Sequence, residues 1–270
     1  MIIVNGAIAD TIPVMDRGLM YGDGVFRTLR VRNGQAESWP RQYAKLAADC
    51  TALDILCPAS SVLEREIRDA ARSEPDCVLK IVVSRGEGGR GYGVPSSVHP
   101  SRVMVTAPVP EYPASYPMDG VRLHVCDIRL CHQPRLAGIK HLNRLENVLA
   151  RMEWSDPDIA EGLMLDADGH VIEGTMSNIF MRRENHLITP DLSQCGVAGL
   201  QRERIMEAAP DLGLTMEVRN FSLRELLDAD EVLVCNSVIG IWPVREIGPR
   251  HWIPGELAPA LRRKLEMRID

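Results

Sequence analysis

A lysine attacks an aldehyde only after it has shed its proton, and Lys140 sits where the sequence would help it do so. In LAGIKHLNRLENVLAR it lies between the apolar residues Ile139 and Leu142, just ahead of a helical pattern. A neutral ε-amine is the nucleophile of Schiff-base chemistry. Lowering its pKa by about three units takes roughly 4 kcal/mol of burial or neighbouring positive charge. Glu173, in VIEGTMSNIF at a hairpin edge, is an acid of the kind that keeps a pyridine-ring nitrogen protonated, so that the ring can act as an electron sink. The loop RGEGGRGY combines four glycines, which admit close backbone approach, with Arg85, Arg90 and Tyr92; the Arg90 guanidinium suits a carboxylate. It lacks the spacing of a P-loop. GLQRERI starts a helix at Leu200 and Gln201, where free N–H groups suit a phosphate, and Ser237 adds a hydroxyl at a strand end. Each residue also has a plain reading: a solvated lysine, a glutamate near a turn, a surface loop, one helix start among several.

Stepwise patterns along the chain supply the elements that must carry these groups. Asn5-Gly6 and Asn33-Gly34 are hairpin turns. Tyr43, Leu46, Ala47, Cys50 and Leu53 recur at helical spacing, as do Leu63, Ile67, Ala70 and Ala71. VLKIVVS (78–84) and RVMVTA (102–107) read as strands. Residues 108–119 hold four prolines and mark a linker, which divides the chain into residues 1–112, a proline-rich link at 113–119, and residues 120–270. The second part opens with VRLHVCDI as a strand. A helix follows with an apolar face of Leu145, Val148, Leu149 and Met152, then hairpins turning at Asp168-Gly169 and Glu184-Asn185. A helix near 199–209, a strand at 215–219, a short helix near 222–228, a strand at 231–236 and a final helix near 256–268 complete it. Hairpins and helices mix without a β-α-β rhythm, so the expected class is α+β in two domains.

Composition narrows the function. With 270 residues, 45% of them hydrophobic, the chain can bury a sizeable core. A net charge of −6 and the lack of any Lys/Arg block speak against nucleic acid. Seven dispersed cysteines without C-x-x-C read as reduced thiols, and the seven scattered histidines give no metal-ligand spacing. The first residues do not read as a signal peptide, and no apolar run suits a membrane span, so a cytoplasmic protein is expected.

Taken together, VNG (4–6), DRGLMYGDGVFRTLRV (16–31), SRGEGGRGY (84–92), LAGIKHLNRLENVL (136–149), VIEGTMSNIF (171–180), GVAGLQRERI (196–205) and ADEVLVCNSVIGIWPV (229–244) resemble the fold-type-IV pyridoxal 5′-phosphate enzymes, the group of branched-chain and D-amino-acid aminotransferases. The RG-x-GGRGY and GIKHLNRLE blocks resemble its lyase branch, which releases pyruvate and 4-aminobenzoate from an aminated chorismate. The resemblance implies two α+β domains with pyridoxal 5′-phosphate (PLP) between them, and a homodimer. It implies Lys140 as the Schiff-base lysine, Glu173 as the acid at the ring nitrogen, and Leu200, Gln201 and Ser237 at the cofactor phosphate. Arg90 and Tyr92 then approach the substrate carboxylates, and Thr28 stands near the reacting atoms where branched-chain transaminases carry glycine. One departure is Lys45, at a helix position where the family usually has a phosphate-binding arginine; lysine keeps the charge and loses the fork, and Arg41, one turn earlier, is the other candidate. The competing readings are a transaminase of the same fold and a non-catalytic protein that has kept it.

Overall fold

The computed structural model describes residues 1–97 and 99–267. Among the described residues the chain divides into two compact units: residues up to 111 together with 139–143 form one, and residues 112–138 with 144–267 the other.

The first unit runs β1 (Ile2–Val4), β2 (Ala7–Ile8), α1 (Arg17–Tyr21), β3 (Gly24–Arg32), β4 (Gln35–Ala36), α2 (Trp39–Ala52), α3 (Ser60–Ala70), β5 (Cys77–Ser84) and β6 (Ser101–Ala107). Among the described residues its six strands form one sheet in the order β2-β1-β6-β5-β3-β4. Two-residue turns set the register at its ends. Asn33 and Gly34 adopt φ of 51° and 74°, so Val31 pairs with Ala36; positive φ at both turn residues matches the twist of the flanking strands. Alternation along β3 buries Val25, Leu29 and Val31 against Leu46 and Cys50 of α2 and Leu63 and Ile67 of α3. Phe26, Thr28 and Arg30 point to the other face, which stays half-exposed. Both helices expected from apolar spacing are present, with longer N-terminal turns than the spacing showed.

The second unit begins with α4 (Tyr116–Asp119), a single helical turn inside the proline-rich stretch that the sequence marked as linker. Pro117 is tolerated there because the first turn of a helix needs no N–H donor at that position. Then come β7 (Val121–Leu130), α5 (Leu145–Arg151), β8 (Ile159–Asp166), β9 (Val171–Gly174), β10 (Asn178–Arg183), β11 (His186–Thr189), α6 (Leu200–Ala208), β12 (Thr215–Val218), α7 (Leu223–Leu227), β13 (Glu231–Asn236), β14 (Gly240–Ile247), β15 (Arg250–His251) and α8 (Leu257–Met267). The strand path β12-β11-β10-β13-β14-β7-β8-β9 returns on itself, because β9 also pairs with β10 through Glu173 and Asn178. The ring so closed is packed with Leu123, Leu163, Ile179, Val234 and Trp242. On another face Phe180, Leu233 and Ile241 pack against Ile205 of α6 and Leu261 of α8.

Two expectations need correcting. The sequence reading left out β14, whose Pro243 argues against a central strand. The ladder to β13 does include Pro243, opposite Leu233, but pairing with β7 begins only at Val244, so the missing N–H is tolerated. The apolar face assigned to α5 faces outward: Leu145 and Met152 are 69% and 74% exposed, Val148 and Leu149 are exposed too, and Ala150 alone among the helix residues is buried. Spacing shows that residues share a face; it does not show what the face meets.

Candidate active site

In the first unit the segment around Lys140 extends the edge of β3. The Phe26 N–H donates to the Lys140 carbonyl at 2.9 Å, and the Leu142 N–H donates to the Gly24 carbonyl at 2.9 Å. The Lys140 N–H in turn donates to the Asp49 carboxylate on α2 at 3.3 Å, and the same carboxylate is ion-paired with Arg27 of β3. Burial pushes the Asp49 carboxyl up, against the pull of Arg27. Three backbone bonds thus fix where Lys140 starts, and its ammonium lies 4.7 Å from the centre of the Phe26 ring. Lys80, opposite Thr28 on β5, places its own ammonium 4.7 Å from the same ring. Alternation puts Phe26 and Thr28 on one face of β3, with Lys80 across from them. Lys80 had not been singled out from the sequence; the signal was its position two residues into an apolar strand.

The glycine loop is held by buried arginines, while the side chains of Arg90 and Tyr92 stand exposed. The Arg85 guanidinium is buried; it pairs with Asp23 at 2.8 Å and donates to the carbonyls of Leu53 and Asp54. Arg17 joins the same carboxylate at 2.8 Å and donates to the carbonyls of Gly91, Tyr92 and Gly93. Burial alone would raise the Asp23 pKa, but hydrogen bonds from Arg85 and Arg17 and their charges hold it below the ordinary carboxylate value. A depressed carboxyl contributes stability that is present at neutral pH and is lost as pH falls through its folded value. Arg85 is therefore a buried anchor, whereas Arg90 is exposed and Tyr92 is 84% exposed, its ring 5.3 Å from that of Tyr21. Arg17 and Asp23 were missed as anchors because they meet Arg85 only in the folded chain.

In the second unit Glu173 lies at the seam that closes the sheet and is buried. Its Oε2 accepts the Val197 N–H at 2.9 Å. Across the seam, Asn178 donates to the Val197 carbonyl at 2.8 Å and accepts the Gly199 N–H at 3.2 Å. These two residues clamp the strand-like lead into α6. The close fit demands glycine at 199, since a Cβ there would stand 2.3 Å from the Asn178 oxygen. Gly199 caps α6 without a side-chain acceptor, so the N–H groups of Leu200 and Gln201 stand at a helix start that no side chain of the helix closes. Beside the seam, buried Glu161 accepts from the N–H groups of Gly162, Thr175 and Met176 and from the hydroxyls of Thr175 and Ser177, which fixes the turn after Gly174. Burial pushes the Glu161 carboxyl up. Asn236 reaches that turn through the Met176 carbonyl at 3.0 Å and precedes half-buried Ser237 at the end of β13. Glu161 and Asn178 were not identified from sequence, because an acid and an amide in strands carry no signature of their own.

Each unit by itself offers groups of a kind that PLP takes: the first a lysine tethered through its backbone beside an aromatic ring, suited to an aldehyde, and the second a buried carboxylate and a helix start lacking a side-chain cap, suited to a pyridine nitrogen and a phosphate. Residues 24–247, most of the chain, match the family described as Amino-transferase class IV. The chain is a member of that family. An aminodeoxychorismate lyase of Vibrio harveyi is 38% identical over 262 residues, 96% of each protein. The crystal structure of 4-amino-4-deoxychorismate lyase from Pseudomonas aeruginosa superposes with a TM-score of 0.95 at 44% identity, covering 100% of both chains. A D-alanine aminotransferase of Bacillus licheniformis is 25% identical, over 99% of this chain and 96% of that one. The proteins this chain is similar to thus include both lyases and a transaminase.

Proposed function

We propose that this class IV enzyme is an aminodeoxychorismate lyase, which converts 4-amino-4-deoxychorismate to 4-aminobenzoate and pyruvate in folate synthesis. The observation that carries the reading is the tether of Lys140 to β3, the strand that bears Thr28 where branched-chain transaminases carry glycine. The full-length similarity to lyases from two genera supports it.

When bound, PLP supplies an aldehyde for the substrate amine and a protonated ring that takes up negative charge from the amine-bearing carbon. The Lys140 ε-amine removes the proton from that carbon. Glu173 keeps the ring nitrogen protonated. The N–H groups of Leu200 and Gln201, the Ser237 hydroxyl and the Lys45 ammonium bind the phosphate. Lys45 lies half-buried on α2 and has its charge beside Asp49; Arg41, one turn earlier, is the other cation of that helix. Arg90 and Tyr92, both exposed, receive the substrate carboxylates. As its C–O bond breaks, the enolpyruvyl group leaves with a proton delivered to the ether oxygen, either from the Lys140 ammonium directly or through the Thr28 hydroxyl, and the ring that remains becomes aromatic, which drives the step forward.

Pyruvate release from 4-amino-4-deoxychorismate, measured with no keto acid added, tests the reaction class. Turnover is expected without an acceptor; a strict requirement for a keto acid would make the chain a transaminase. Two variants separate the roles of side chains. Thr28→Val keeps the shape and removes the hydroxyl, so turnover should drop by about 10²-fold, the lower end of what a positioned proton donor contributes, with the cofactor still bound. Lys45→Ala should weaken cofactor retention and leave turnover in saturating PLP nearly unchanged. Equal retention in Lys45→Ala and wild type would assign the phosphate to Arg41 and the helix start.

The homodimer that the family resemblance implies is supported by the outward face of α5. An exposed row of Leu145, Val148, Leu149 and Met152 is the kind of apolar patch that a second copy covers, and the chain is proposed to be a homodimer. Light scattering should give twice the 30.0 kDa of one chain; a single-chain mass at micromolar concentration would refute it. Among the described residues no helix is long and apolar enough to cross a membrane. All seven cysteines are free, five of them buried, which suits the reducing cytoplasm we propose as its compartment.

A further inference from the structure

Away from the residues assigned to cofactor and substrate, the second unit gathers nitrogen, oxygen and sulfur donors from three separate stretches of chain. His132 follows β7, Asp166 ends β8, and Cys195 lies in the segment between β11 and α6. A ring nitrogen of His132, a carboxylate oxygen of Asp166 and the Cys195 sulfur all lie within 4.8 Å of one another. The His132 Nε2 to Asp166 Oδ2 distance is already 3.0 Å. Ligand atoms on a tetrahedral zinc ion stand about 3.3–3.6 Å apart, so the His132–Asp166 hydrogen bond gives way by a few tenths of an ångström and the sulfur closes in.

The surroundings hold these donors in place. Asp166 is buried, and its Oδ1 accepts the N–H groups of Asp168 and His170 at 3.0 and 2.8 Å, which turns Oδ2 toward His132. His170 Nδ1 stands 3.3 Å from that Oδ2 and orients it further. The two loops that bring His132 and Cys195 are paired by backbone: the Gln133 N–H donates to the Gln194 carbonyl at 2.8 Å, and the Gly138 N–H to the Gly196 carbonyl at 2.9 Å. Cys195 is only 6% exposed, whereas His132 is on the surface, so the site has a wall and an opening.

We propose that His132 Nε2, Asp166 Oδ2 and Cys195 Sγ bind one zinc-class divalent transition-metal ion per chain, with water at the fourth position. Imidazole, carboxylate and thiolate together select a borderline-soft ion over calcium or magnesium, which take oxygen donors. On binding, the Cys195 thiol gives its proton to solvent as the metal–sulfur bond forms, and no electron is transferred. The ion ties the end of β7, the β8–β9 hairpin and the lead into α6, two residues before the Val197 N–H that meets Glu173. It takes no part in the lyase chemistry, and the site stands whether or not that chemistry is as proposed.

Isothermal titration of the reduced holoenzyme with zinc chloride, in a phosphine reductant that does not bind as a thiol, tests this. One saturable ion per chain is expected. Cys195→Ser and His132→Asn should each weaken binding by about a hundredfold or more, beyond the roughly ten- to hundredfold that loss of an outer-shell partner produces. Cys131→Ser, which removes the exposed thiol beside His132, should leave the affinity unchanged. His132 is a surface residue, so its variant folds even if the Cys195 variant does not. Zinc should also raise the thermal midpoint of the wild-type enzyme and not that of His132→Asn. Absence of saturable binding, or the same affinity and thermal shift in wild type and His132→Asn, overturns the proposal.

Discussion

Lys140→Ala is expected to abolish turnover, with a loss of about 10⁴-fold or more, because one side chain serves as both the cofactor's attachment and the base. The fold should survive the change. What joins this segment to β3 and α2 is backbone: the Phe26 N–H to the Lys140 carbonyl, the Leu142 N–H to the Gly24 carbonyl, and the Lys140 N–H to Asp49. Alanine keeps all three, and Ile139 beside it remains in the core. An unchanged circular dichroism spectrum alongside lost activity is therefore the expected pair of results. Borohydride reduction of the wild-type holoenzyme, followed by peptide mapping, should place the pyridoxyl label on Lys140. Lys80 is the informative rival, since its ammonium stands at the same 4.7 Å from the Phe26 ring. A label on Lys80, or none, would sink the central assignment.

Glu173→Gln should lower turnover by about 10²–10³-fold, the usual cost of removing one fixed electrostatic partner from a water-poor site, while the cofactor stays bound. Glutamine preserves the length and retains an oxygen for the Val197 N–H, now held at 2.9 Å. It cannot supply the negative charge that keeps a ring nitrogen protonated. The seam between β9 and β10 is a backbone pairing at Asn178 and does not depend on the carboxylate. Turnover within tenfold of wild type would show that the ring is held by another group. Near-complete loss of bound cofactor would make Glu173 a residue of binding alone.

The sequence disclosed most where local chemistry leaves the backbone no choice. Asn33-Gly34 must turn, because both residues sit at positive φ, and the alternation of Val25 to Val31 then settles which face Thr28 joins. Lys140, Glu173 and the start of α6 were legible as separate signals. What stayed hidden depends on residues distant in sequence. Arg17, Asp23 and Arg85 form one buried ionic network around the base of the glycine loop, and no spacing rule links them. Glu161 accepts from a turn, and Asn178 donates to and accepts from the lead into α6, whose paths are known only once the sheet has closed. Pro243 concealed a strand, because the rule against proline in sheets concerns a hydrogen bond that this position never needs. The outward face of α5 was concealed in the opposite sense, as its spacing is that of a core helix.

The five residues from Ile139 to Asn143 belong to the first unit, while the chain on either side of them belongs to the second. A gene cut at the proline-rich stretch would therefore yield an N-terminal fragment short of its own edge. Gly24 to Phe26 would keep an unpaired carbonyl and N–H, the open rim at which strands of neighbouring molecules join and aggregate. During synthesis the same rim waits until residue 143 has left the ribosome, so the first unit is completed by a piece of chain made after its proline boundary. The two halves are consequently poor candidates for separate expression or for exchange between relatives at that boundary. A cleaner exchange would carry the 139–143 segment along with β3.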